Sequence, residues 1–82
     1  MIRVNVTFYS YFRELTGVGS RAYEVAVDST LGDLLQTIHA QFPELARMSR
    51  ATLLAVGVEY QTAAYILRDQ DEVALFPPVQ GG

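Results

Sequence analysis

The sequence predicts an α+β fold: a sheet of four to five strands with one main helix packed across it. Three features point there. Residues 2–9 alternate apolar and polar side chains. One stretch, Leu31 to Phe42, repeats apolar residues at helical spacing behind a capping signal. Two later runs, residues 52–60 and 72–76, are strand-like in composition and separated by turn residues. Eighty-two residues, half of them apolar, are enough for one domain. A chain this short buries only somewhat over ~60% of its unfolded surface, so the core must be efficient.

The first strand follows from period two. Ile2, Val4, Val6 and Phe8 face one way, and Arg3, Asn5, Thr7 and Tyr9 the other. Residues 10–19 connect it to the next strand, with Tyr11 to Leu15 as a helical turn ended by Thr16-Gly17. Residues 20–27 form the second strand, with Tyr23, Val25 and Val27 on one side. The short connection makes these two strands antiparallel neighbours. Thr30 with Asp33 then has the form of a capping box. Behind it, Leu31, Leu34, Leu35, Ile38 and Phe42 share one helical face, whose burial is worth roughly 10 kcal/mol gross. Phe42-Pro43 ends the helix, because the residue before proline avoids the α region. Pro43 to Met48 suits a further short helical turn.

Residues 52–60 read as a third strand covered by the helix, with Gly57 as a bulge or a turn that splits it in two. Ala63 to Ile66 is ambiguous and fits a short edge strand. Arg68 to Asp71 is a turn by composition, and Glu72 to Phe76 is the last strand. There is no internal repeat.

Composition excludes several functions. The net charge of −3 argues against general nucleic-acid binding, which needs clustered positive charge. No apolar run approaches the ~20 residues that span a membrane. The alternating start lacks a signal peptide's apolar block, and there is no cysteine, so the expected location is the cytoplasm. All six basic residues are arginine, so no side-chain amine is available to accept an isopeptide bond.

The last strand runs into Pro77 and Pro78, which offer no N–H to a sheet ladder and fix their own φ. They make a stiff, extended spacer. Val79 and Gln80 follow, then Gly81 and Gly82, which have no Cβ and can enter a channel that excludes side chains. The expected organisation is a globule over residues 1–76 and a tail over 77–82 that reaches about 20 Å. A chance Gly-Gly ending has odds of about 1 in 200 at ordinary glycine usage. Its direct attachment to an apolar strand through Pro-Pro, without a polar linker, makes the tail the working part.

Residues 71–82, ending Phe-Pro-Pro-Val-Gln-Gly-Gly, resemble the C-terminal signature of the molybdopterin synthase small subunit (MoaD) family, a branch of the ubiquitin-like sulfur carriers that also include ThiS. Phe12 to Gly17 resembles that family's early motif, and the element order fits across the whole chain. The resemblance implies a β-grasp fold, a mixed sheet with the first and last strands parallel at its centre. It implies a carrier without catalytic groups of its own. An E1-like adenylating enzyme transfers AMP to the Gly82 carboxylate. A sulfur donor, such as a cysteine desulfurase or rhodanese, converts the acyl-adenylate to a thiocarboxylate. The synthase large subunit then receives the charged end and passes its sulfur to a pyranopterin precursor. Pro77, Pro78, Val79, Gln80 and Gly81 would thread into the partner, while Phe76 and Tyr60 would dock the body. The family usually has an aliphatic residue at the position of Tyr60. No cofactor is implied beyond AMP or sulfur carried covalently on Gly82, no metal, and no nucleic-acid or membrane partner. A carrier for thiazole synthesis, a protein modifier joined through Gly82, and a plain interaction domain are the alternatives.

The other chemical side chains read as structural. His39, the one histidine, lies off the apolar helix face and is expected in solvent. Asp69, Asp71 and Glu72 lack the glycine and spacing of a calcium loop and are expected to form a solvated acidic turn. Tyr9, Tyr11 and Phe12 are expected in core and hinge packing.

Overall fold

The structure, a computed structural model, describes residues 1–77. Its strands are β1 (Ile2–Phe8), β2 (Ser20–Val25), β3 (Leu53–Val56), β4 (Glu59–Tyr60) and β5 (Glu72–Phe76). Its α-helices are α1 (Tyr11–Thr16), α2 (Leu31–Gln41) and α3 (Pro43–Ala46), with a 3-10 turn at Ser49–Ala51. The strands form one sheet in the order β2-β1-β5-β3-β4. The β1–β5 pair is parallel, with Asn5 opposite Glu72 and Phe8 opposite Leu75; the other pairs are antiparallel. The chain's first and last strands therefore lie side by side inside the sheet, as the resemblance implies.

One face of the sheet carries the core. Val4, Val6 and Phe8 of β1, and Val73 and Leu75 of β5, are almost completely buried. Leu31, Leu34 and Ile38 of α2 cover them, at roughly 1.5–3 kcal/mol each. Leu35 and Phe42 are only partly buried, so the helix contributes less than five full side chains would. Phe42 packs edge-on against Phe8, with ring centroids 5.9 Å apart.

The N-terminus of α2 accounts for its orphan donors completely. The Thr30 hydroxyl accepts from the Asp33 amide at 3.1 Å, and the Asp33 carboxylate accepts from the Thr30 amide at 2.9 Å, which is the expected capping box. Leu31 N–H donates to the Tyr65 carbonyl at 2.8 Å and Gly32 N–H to the Ala63 carbonyl at 2.9 Å. This is the work of residues 61–67. Ala63 to Ile66 is a capping loop rather than an edge strand, and its one β-type pairing is the isolated Thr30–Ile66 bridge. Its close approach suits Gly32: a Cβ there would meet the Ala63 Cβ at 3.2 Å. Leu67 ends the loop in the core.

Two further expectations are corrected, and one open alternative is decided. The second strand stops at Val25, because Ser29 N–H donates to the Ala26 carbonyl and Asp28 turns at φ 72°. Val27 is thereby released from the buried side and is 63% exposed. The run 52–60 is two strands joined by the Gly57-Val58 hairpin, with Val56 opposite Glu59. Gly57 has φ 63° and Val58 does not share the positive sign, as a type II′ turn requires. The acidic turn is bonded rather than merely solvated. Asp69 accepts from the Arg3 amide, Asp71 from the Tyr65 hydroxyl and the Arg68 amide, and Glu72 from the Asn5 side chain. These contacts fix where β5 begins beside β1.

Candidate functional site

The second face of the sheet has no helix over it among the described residues. Period two along β5 sends Val73 and Leu75 into the core and Ala74 and Phe76 to this open face. Register then sets their neighbours. Ala74 lies between Thr7 of β1 and Ala55 of β3, and Ala55 is paired with Tyr60 of β4. Phe76 is paired with Leu53, which is 36% exposed. On its other side the ring of Tyr9 stacks on that of Phe76, centroids 4.6 Å apart and planes within 11°.

The result is a shallow depression of ≈ 240 Å³ lined by Tyr9, Ala55, Gly57, Val58, Tyr60, Ala74 and Phe76. Small residues make its floor, and aromatic rings and Val58 make its walls. Tyr60 is 72% exposed and Val58 fully exposed. The Asn5–Glu72 hydrogen bond of 2.8 Å marks the polar end of the same face. Pro77 follows Phe76 immediately and is half-buried, so the tail leaves the body beside this depression.

Phe76 and Tyr60, the two predicted docking residues, thus line one concavity. Pro78, Val79, Gln80, Gly81 and Gly82 lie outside the described residues. Tyr9 is the residue that sequence reasoning missed: it is 43% exposed and belongs to the open face, not to the core. Tyr11 is exposed as well, and of the three aromatics only Phe12 is buried. The available signal was that Tyr9 shares its parity with Arg3, Asn5 and Thr7. Its partner Phe76, 67 positions away, becomes visible only through the parallel register.

The shifted titrating groups lie away from this face. Burial pushes the Tyr23 hydroxyl up, partly offset by Arg21, and that hydroxyl donates to Gln41 Oε1 at 2.7 Å. Burial first, and then the Asp71 carboxylate, push Tyr65 up. Burial pushes His39 down; it is half-buried on α2 rather than fully in solvent. No group of three or more His, Asp or Glu side chains among the described residues is placed to hold a metal ion, and no helix is long and apolar enough to cross a membrane. What the arrangement offers is exposed apolar surface next to Pro77, the last described residue.

Fold and face together define a ubiquitin-like β-grasp protein. Residues 6–82 match the ThiS family, and the chain belongs to it. It is 42% identical to the molybdopterin synthase sulfur carrier subunit of Escherichia coli, over 96% of this chain and 99% of that one. It is 32% identical to the small archaeal modifier protein 3 of Haloferax volcanii, over 99% of this chain and the whole of that protein. Among solved structures, a Pyrococcus furiosus protein provisionally assigned as molybdopterin converting factor subunit 1 superposes with a TM-score of 0.87. It is 25% identical and matched over 96% of this chain and 100% of its own.

Proposed function

We propose that this chain is the sulfur-carrying small subunit of a molybdopterin synthase. The observation that carries this reading is the likeness to sulfur carrier subunits along nearly the whole chain. It is joined to a fold that delivers the tail from an interior strand. In this role the Gly82 carboxylate attacks the α-phosphorus of ATP on an E1-like enzyme, releasing pyrophosphate. A donor protein's persulfide sulfur then attacks the acyl carbon, the C–O bond to AMP breaks, and a thiol cleaves the S–S bond of the resulting acyl disulfide to leave a thiocarboxylate. The chain needs the first step because an unactivated carboxylate is a poor electrophile, and it needs glycine because a side chain would crowd the acyl carbon. It supplies no acid, base or phosphate-binding group to these steps; those belong to the partners. Gly82 carries AMP or sulfur covalently, and residues 77–81 thread the partner's channel.

The open face explains why a body is attached to the tail. Ordering the six tail residues, 77–82, costs about 1 kcal/mol or more each, and the two prolines lower that cost. The apolar surface around Phe76, Tyr60 and Tyr9 contributes the contact area that offsets the rest. On the large subunit and on the activating enzyme, this predicts an apolar patch beside the channel that receives the tail.

Incubation with the cognate activating enzyme, ATP and a sulfur source tests the reading by intact-mass spectrometry. One terminal oxygen should be replaced by sulfur, and deletion of Gly82 should abolish the change without unfolding the body. An unmodified chain under conditions that charge a known carrier would overturn the assignment. The likeness to an archaeal modifier protein supports a second reading, in which Gly82 is joined to a lysine of a target. Co-purification with covalent conjugates instead of a synthase large subunit would select it.

A further inference from the structure

The preceding reading makes Gly82 an activated acyl end, and the rest of the chain must survive its presence. We propose that the folded body keeps every primary amine out of reach of its own activated terminus, so that only a nucleophile on another molecule can take the acyl group. The reaction avoided is simple. A neutral amine attacks the acyl carbon of the adenylate, a C–N bond forms, the C–O bond to AMP breaks, and the nitrogen sheds a proton. The product is an amide, and the carrier is lost.

Two observations support the proposal. The first is chemical. Arg3, Arg13, Arg21, Arg47, Arg50 and Arg68 are all exposed, at surface sites where lysine serves equally well for solubility. A guanidinium stays protonated and does not act as a nucleophile, whereas a lysine amine is acylated once it loses its proton. There is also no cysteine in the 82 residues. An acyl group placed transiently on His39, the one imidazole, is returned to the carboxylate by water.

The second observation is geometric. Within the 82-residue chain the one primary amine is that of Met1, just before β1. Because β1 and β5 run parallel, the start of β1 lies at the opposite end of the sheet from the tail. Met1 is seven residues before Phe8, which is opposite Leu75, so the amine stands about 23 Å up the sheet from the tail's root. Six residues follow Phe76. Reversing direction uses a turn of about four, leaving two residues and about 7 Å of reach. An antiparallel β1–β5 pair would have put the amine beside the tail. Tethered groups that can meet do so at effective concentrations of the order of millimolar, so a reachable lysine would compete with any partner.

The test uses the full 82-residue chain bearing a C-terminal alkyl thioester on Gly82, an acyl donor that needs no activating enzyme. Dilute samples at mildly alkaline pH are followed by intact-mass spectrometry, which separates hydrolysed acid from a lactam lighter by one water. Lysine is installed near the root in Leu53→Lys, opposite Phe76, and separately in Tyr60→Lys. It is installed at the far end in Arg3→Lys, whose carbonyl accepts from Gln70. The unsubstituted chain and Arg3→Lys should only hydrolyse, while the two near variants should form at least about tenfold more lactam. The proposal fails if the unsubstituted chain closes on Met1 as fast as the near variants do. It also fails if both near variants, folded by circular dichroism, give no more lactam than Arg3→Lys. Since the thioester bypasses enzymatic activation, a chain that no enzyme adenylates would sink the functional reading and leave this result standing.

Discussion

The two faces of one sheet are written by alternate residues of the same strands, and they differ in what they are for. On the covered face, Val73 and Leu75 of β5 are each 1% exposed and meet α2. On the open face, Ala74 and Phe76 of the same strand meet Tyr9, Ala55 and Tyr60 in a concavity that nothing in the described chain fills. The covered face stores folding energy; the open face leaves apolar area exposed. The lesson is that an apolar run such as Val73 to Phe76 need not be a strand buried on both sides. It is also what a strand looks like when one face belongs to the core and the other is left open.

Substitutions on the two faces should therefore separate stability from binding. Leu75→Ala removes a fully buried side chain and should cost about 2–5 kcal/mol in urea unfolding. A loss below about 1 kcal/mol would mean the covered face is not where the stability resides. Phe76→Ala, one residue on, should cost the fold only about 1 kcal/mol, mostly through loss of the Tyr9 stack. It should weaken binding to a synthase large subunit by about 2 kcal/mol, or roughly 30-fold, in calorimetric titration. Equal stability losses at Leu75 and Phe76 would erase the distinction.

A smaller effect probes how the covering helix is held. Thr30→Ala breaks the capping box and should lower stability by about 1 kcal/mol, with the open face unaffected. A drop in partner binding as large as that of Phe76→Ala would show that the two faces are coupled. The smallest effect concerns pH. Burial lowers the His39 pKa in the folded state, so below an unfolded value of about 6.5 the unfolded chain binds more protons. Its contribution is complete above about pH 6.5 and is lost as pH falls through that value toward the folded pKa. The melting temperature should decline slightly on acidification, and His39→Gln should flatten that decline.

The covered face was largely legible in the sequence, because alternation in β1 and the capping box of α2 are local signals. The segment 61–67 was not legible. Its role is to present the Ala63 and Tyr65 carbonyls to amides some thirty positions earlier, and carbonyls leave no mark in side-chain composition. For the same reason Leu67 went unnoticed as a core residue. The split of residues 52–60 turned on the backbone of Gly57, where bulge and hairpin read alike. The open face was half legible. Phe76 and Tyr60 came from the resemblance, while Tyr9 needed the register of two strands at opposite ends of the chain.

The strand that carries the tail is also the last of the described strands in chain order, and it sits between β1 and β3. Until a ribosome has passed Phe76, the β1–β2 and β3–β4 ladders have no strand to join them, and folding waits on the most distant pairing in the chain. A product released short of Glu72 is left with unpaired edges and goes to proteases or aggregates. Translation is thus proofread by topology: a body that has folded has already been made up to the threshold of its tail.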